Sequence, residues 1–215
     1  EEARYEHDHR GLPGARQRAH DAGVEPALAA EARPRRSRPG AEAMLPATPD
    51  QVEEITPGIW CSPGLSNVYL LPTPEGRVII NAGMGFEGPV HRANLDSVDS
   101  SPVRYIILTQ GHYDHVGGLD SVRDPGTKIV AQANWRQWRD DNERLARYRA
   151  ARSAFAFSDT LAAGIAKIQD RFGRKLPPQS TPTADIVVED TLSLEVGGRA
   201  LELIATPGGE TTDSM

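Results

Sequence analysis

From Val52 onward, apolar and polar positions fall into short blocks broken by turn residues. "VEEITPGIW" and "SNVYLLPTPEGRVIINAG" read as short strands separated by Pro-Gly and Pro-Glu-Gly turns. The run Arg77–Ile80 leads into "NAGMG", a Gly-bearing loop that enters a helix near Phe86–Val98. "VRYIILT" (Val103–Thr109) is a nearly continuous, β-branched apolar run, the pattern of a strand covered on both faces. "TKIVAQ" (Thr127–Gln132) predicts another short buried strand. The period then lengthens: "NWRQWRDDNERLARYRAARSAF" has helical spacing, with Trp135, Trp138, Leu145 and Tyr148 expected inward. A second helix is expected over Asp159–Phe172, ending before Leu176-Pro177-Pro178. The remainder reads as strands broken by an acidic turn at Glu189-Asp190 and by Gly197-Gly198. Strand, helix and loop alternate without an internal repeat, which predicts a mixed α/β fold. The Trp/Arg-rich helical piece at about 134–178 reads as an insertion or lid over the sheet.

Residues 1–43 do not share this patterning. They hold almost no large aliphatic residues and many Arg, Gly and Pro, so they cannot bury enough apolar surface to offset chain entropy. The segment is expected to be disordered or non-native, with Met44 opening the organised part, 44–215. Its histidines, His7, His9 and His20, are read as solvated side chains, because nothing there would hold ligands in place. His91, on the first expected helix, is read as a partly exposed surface or packing histidine.

Composition narrows the function. The 215 residues are 38% hydrophobic and 25% charged, with a formal net charge of −6. That balance argues against a nucleic-acid partner and against docking on anionic lipid. Acidic residues interspersed with the arginines of 134–178 also neutralise that segment. The single Cys61 cannot form an internal disulfide. No apolar run approaches the roughly 20 residues that span a bilayer, and no secretory signal pattern is evident. A cytoplasmic protein acting on a small-molecule substrate is the expectation.

The chemistry concentrates in "ILTQGHYDHVGG" (Ile107–Gly118). His112, Asp114 and His115 follow directly on the strand Val103–Thr109, where a sheet can position a reactive loop. This spacing lets one turn aim two imidazoles and a carboxylate into a small volume, and both are good ligands for zinc, iron or manganese. Gly117 and Gly118 are read as flexible backbone beside a crowded site. A second polar loop, "ATPGGETTDS" (Ala205–Ser214), follows the apolar "LELIAT" and presents Glu210 at another strand end. Glu189 and Asp190, in an ordinary turn between strands, are left out of the site.

"TQGHYDHVGG", "TPGGET" and the upstream "VIINAG" together resemble the metallo-β-lactamase superfamily. Those proteins carry a His-x-His-x-Asp-His loop, a later "TPGHT"-like loop and an Asp-Gly step after an early strand. The resemblance implies a four-layer αββα sandwich with one or two metal ions at its edge, zinc first, with iron or manganese as alternatives. It places His112, Asp114 and His115 at metal-ligand positions. Gln110 falls where the first histidine belongs, Gly209 where the later loop has its histidine, and Asn81 where the early Asp is usual. "TPGGET" resembles the alkylsulfatase-type loop, in which a glutamate takes the histidine's place, and this makes Glu210 a fourth ligand. Gln110 would ligate weakly through its carbonyl oxygen.

The activity implied is hydrolysis of an ester, sulfate ester or related bond, with Asp114 catalytic as well as metal-binding. The cation lowers the pKa of water, Asp114 orients that nucleophile, and Tyr113 either adds a hydrogen bond or packs. Two other readings stand beside it. One is a metal-binding pseudo-enzyme or regulatory module, and the other is an iron-dependent redox or sulfur-handling member of the same fold. Because the resembling proteins continue past the second loop, the domain is expected to be truncated at its C-terminus. An exposed edge at Leu201–Thr206 would then favour homo-oligomers.

Overall fold

In a computed structural model of the chain, the Pro-Gly and Pro-Glu-Gly signals become the turns that open the sheet. Gly58 and Gly76 adopt φ of 73° and 110° there, values a Cβ would disfavour. The structure describes residues 45–153, 158–173, 175–208 and 210–215. The expectations for residues 1–43, including His7, His9 and His20, for Met44 and for Gly209 lie outside the described residues.

The first strands are β1 (Glu53–Thr56), β2 (Ile59–Ser62), β3 (Val68–Leu71) and β4 (Arg77–Ile80). They run antiparallel, each paired with the next. Then β5 (Val103–Ile107), β6 (Lys128–Gln132) and β7 (Ile186–Val188) add in parallel. The seven form one sheet in sequence order. A hairpin of β8 (Thr191–Val196) and β9 (Arg199–Ile204) forms a second, two-stranded sheet.

Side-chain alternation sorts the apolar residues of the large sheet onto two faces. Val68, Leu70, Ile79, Ile106, Ile129 and Ala131 join Leu95, Leu119 and Val122 in one core cluster. Those last three come from α1 (Gly88–Val98) and α3 (Leu119–Val122). Leu71, Val78, Ile107 and Val130 point the other way and pack with Leu192, Leu194, Leu201 and Leu203 of the hairpin. The run beginning at Val103 is thus covered on both sides, as its nearly continuous apolar character predicts, with Arg104 alone exposed. Helices, sheet and hairpin stack as three layers among the described residues. The α/β expectation holds.

The 134–178 stretch forms α4 (Trp135–Ser153) and α5 (Ser158–Phe172). Ile168 of α5 is buried with Phe86 and Val90 at the start of α1. On α4, Trp135 is buried and Trp138 packs against the main core. Tyr148, expected inward, is instead 60% exposed. The guanidinium of Arg149 lies 4.9 Å from the Trp138 ring centroid, so an arginine rather than the tyrosine covers that side of the helix.

His91 is fully buried. Its Nδ1 meets the Ser62 hydroxyl at 2.9 Å, and that hydroxyl also accepts from Asn94 Nδ2 at 3.0 Å. Burial lowers the imidazole pKa to about 3, so it is neutral in the fold. The unfolded chain protonates it below about pH 6.5. The folded-state pKa is therefore the lower one: this group leaves stability unchanged above pH 6.5 and erodes it between there and about pH 3. Urea unfolding at pH 7 and pH 5 is expected to show about 2 kcal/mol more stability lost by the wild type than by His91→Gln. Equal losses would exclude His91 as the source.

Candidate metal centre

The loop after β5 turns at once into a single helical turn, α2 (Tyr113–Val116), with His112 as its N-cap residue. His112 has φ −63° and ψ 146°, extended backbone that turns the chain away from the strand line, and its side chain makes no capping hydrogen bond. The turn is tied to the end of β4: the Ala82 N–H donates to the His115 carbonyl at 2.6 Å, and the Gly118 N–H to the Gly83 carbonyl at 2.8 Å. The second loop docks on the first through the Met215 N–H, which donates to the Thr109 carbonyl at 3.0 Å. Asn134 Nδ2 donates to the Thr212 carbonyl at 2.8 Å from the other side. Two strand-end loops thereby share one edge.

Their side chains meet across Gln110. Gln110 Nε2 lies 3.1 Å from His115 Nε2 and donates to Glu210 Oε2 at 3.1 Å. His115 Nε2 is 3.5 Å from Asp114 Oδ2, and His112 Nδ1 is 3.6 Å from Glu210 Oε1. All five residues nominated from the sequence are therefore together. His115 is the most enclosed of the charged or ionisable four, and burial holds its imidazole below the ordinary histidine value. A neutral imidazole has the lone pair that a metal needs.

The opposite ring nitrogen of His115 is also held. Ser66 Oγ and Thr109 Oγ1 lie 3.4 and 3.5 Å from Nδ1. Thr109 is in turn fixed by Asn81, whose Oδ1 accepts from the Thr109 N–H at 3.1 Å and its hydroxyl at 2.9 Å. Asn81 has φ 62°, a left-handed conformation that asparagine tolerates better than most residues. Its amide oxygen thus serves the loop through Thr109. Such supporting hydrogen bonds set the orientation of a ligating imidazole.

Among the described residues, no group of three or more His, Cys, Asp or Glu is gathered as a closed metal site. The donors stand in two pairs, His115 with Asp114 and His112 with Glu210, bridged by the Gln110 amide. Their chemistry nevertheless fits a divalent cation: two imidazoles and two carboxylates, with donor atoms 3.5 and 3.6 Å apart within each pair. Buried oxygens without a hydrogen-bond partner lie among them, Gln110 Oε1 and both carboxylate oxygens of Asp213.

Sequence reasoning passed over two neighbours of the site. Asp213 is 1% exposed, but within "ETTDS" it reads as an ordinary turn residue. Trp138, read only as a core position, sets its ring 5.2 Å from that of His112, edge to face. Beside the loop is a cavity of about 270 Å³ whose lining includes Gly111, Tyr113, Trp135, Arg139 and Asn142.

A mixed sheet with helices on one face and a hairpin on the other thus carries a His/Asp loop at its strand ends. Residues 61–215 match the metallo-beta-lactamase superfamily, and the chain belongs to it. The "Beta-lactamase-like protein 2 homolog" of Drosophila melanogaster is 30% identical over 96 residues, covering 41% of this chain and 32% of that protein. Among solved structures, a Cronobacter sakazakii metallo-beta-lactamase with a HARLDQ motif is 27% identical, with a TM-score of 0.53. That match covers 81% of this chain and 58% of the other. A double mutant of the sec-alkylsulfatase PisA1 shares the fold at 18% identity and a TM-score of 0.51, over 76% of this chain and 28% of its own. The chain thus spans less than two thirds of each of these relatives. No helix among the described residues is long and apolar enough to cross a membrane.

Proposed function

We propose that this chain carries the metal-binding edge of a metal-dependent hydrolase acting on an ester, sulfate ester or related bond. The observation that carries this reading is the meeting of His112, Asp114, His115 and Glu210 from two strand-end loops around Gln110, with separations of 3.1 to 3.6 Å. His112, His115, Asp114 and Glu210 would hold the ion, zinc first and iron or manganese as alternatives. When bound, the cation supplies Lewis acidity and makes water a nucleophile near neutral pH.

The remaining work falls to the chain itself. Asp114 accepts a hydrogen bond from the attacking water and aims it, which is its catalytic role. Asn81, Thr109 and Ser66 keep the His115 ring in register through Nδ1. The substrate occupies the cavity beside Gly111 and Tyr113, where Trp135 offers an apolar wall and Arg139 a positive charge on its rim. The sulfate-ester option rests on Glu210 within "TPGGET".

One observation favours a second reading, a binding module without turnover. The Gln110 amide already links His115 to Glu210, an arrangement that satisfies both side chains without a cation. By its letters, HARLDQ likewise departs from His-x-His-x-Asp-His, at the second and last histidines, so altered loops occur in this fold. Assays on p-nitrophenyl esters, sulfates and phosphates decide between the two. Turnover that disappears with a chelator and returns with zinc is expected. Metal binding with no turnover on any of the three classes would favour the module.

A further inference from the structure

Asp213 is the buried acid that neither loop motif names. It is 1% exposed, and neither carboxylate oxygen has a hydrogen-bond partner among the described residues. The Thr211 hydroxyl nearby is engaged with the Ser214 hydroxyl at 2.8 Å. Buried carboxylates in folded proteins are ordinarily paired or hydrogen-bonded, because desolvation otherwise opposes the charge.

The surroundings show which way this carboxylate faces. Its Oδ2 lies 2.8 Å from where a Cβ on Gly111 would stand, which puts it against the backbone between Gln110 and His112. It is close enough to interact electrostatically with both His112 and His115. Backbone bonds on either side fix its place: the Thr206 N–H donates to the Ser214 carbonyl at 2.9 Å, and the Met215 N–H to the Thr109 carbonyl at 3.0 Å. The loop is held firmly, and beyond Thr211 of its own loop the carboxylate has no partner among the described residues. A buried carboxylate positioned by its backbone, with two imidazoles within electrostatic reach, is a donor matched to a cation.

We propose that Asp213 supplies a further carboxylate to the same centre, compensating for the imidazoles that the family pattern places at Gln110 and Gly209. This rests on the metal-centre reading above. It makes the donor set oxygen-rich, with His112 and His115 facing Asp114, Glu210 and Asp213. Such a set accepts harder cations such as manganese more readily than an imidazole-rich one does.

The test is calorimetric titration of zinc and, separately, manganese into the full chain, as wild type, Asp213→Asn and Glu189→Gln. Thermal unfolding of each metal-free protein is measured alongside. Asp213→Asn is expected to weaken metal binding at least about tenfold, with the larger loss for manganese. Its metal-free form should unfold no earlier than the wild type, because the charge removed had no partner. Glu189→Gln, which removes an exposed carboxylate outside the site, should leave the affinity unchanged. Equal affinities in wild type and Asp213→Asn would overturn the assignment. So would a metal-free Asp213→Asn that unfolds several degrees earlier, which marks a structural partner, or a Glu189→Gln that reproduces the affinity loss, which marks a general effect of lost negative charge. A wild type that binds neither metal would instead sink the metal-centre reading itself.

Discussion

Replacing His112 and Asp114 together by alanine is expected to strip the protein of metal and lower turnover by at least a thousandfold, about 4 kcal/mol in the barrier. Neither side chain carries much of the fold. His112 makes no capping bond to α2, and its side chain is 33% exposed; that of Asp114 is 38% exposed. The helical turn is held by backbone bonds from Ala82 and Gly118, which the double variant keeps. Circular dichroism should therefore be unchanged while elemental analysis shows the metal gone. A folded double variant that retains its metal would place the centre elsewhere.

Gly118→Ala should be the most damaging single methyl group added to this molecule. Gly118 has φ −83° and ψ 1°, a backbone conformation open to any residue, so conformational freedom is not the reason for glycine here. A Cβ would instead press on the Ala82 carbonyl oxygen, with the Met84 carbonyl oxygen 3.0 Å and Gly88 Cα 3.1 Å away. All three are backbone atoms and cannot swing aside. Relief requires breaking the Gly118–Gly83 bond and parting the seam that also holds His115. Overpacking of this kind costs about 2–3 kcal/mol, or roughly 5–10 °C in Tm for a domain of this size. Turnover should fall more than tenfold in the protein that still folds. An unchanged melting temperature would mean the seam yields more easily than its geometry implies.

The glycine illustrates what the sequence could and could not convey. Gly117-Gly118 beside His115 is legible as a crowded turn, but flexible backbone was the wrong expectation, because the crowding comes from Ala82, thirty-six positions away in the chain. The strands were legible because apolar residues on both faces leave a nearly continuous run at Val103–Ile107, broken only by the exposed Arg104. The first loop of the candidate site was legible because His112, Asp114 and His115 are near neighbours. Asp213 was not, since its distinction is burial without a partner, which only the docking of the second loop on Thr109 creates. Arg77 makes the same point in the core. It opens β4 and is fully buried, paired with Asp96 at 2.5 Å, a burial that only the folded arrangement creates. Tyr148 errs the other way, because helical spacing shows which positions share a face but not how far along the helix the core extends.

The central claim is that the two loops together hold a metal ion. Equilibrium titration of the metal-free wild-type chain with zinc, read as ions bound per chain, tests it most directly. One or two ions per chain, bound tightly and lost in the His112→Ala/Asp114→Ala variant, is the result expected here. A wild type that binds no zinc, iron or manganese, or binds them as well without His112 and Asp114, would contradict it.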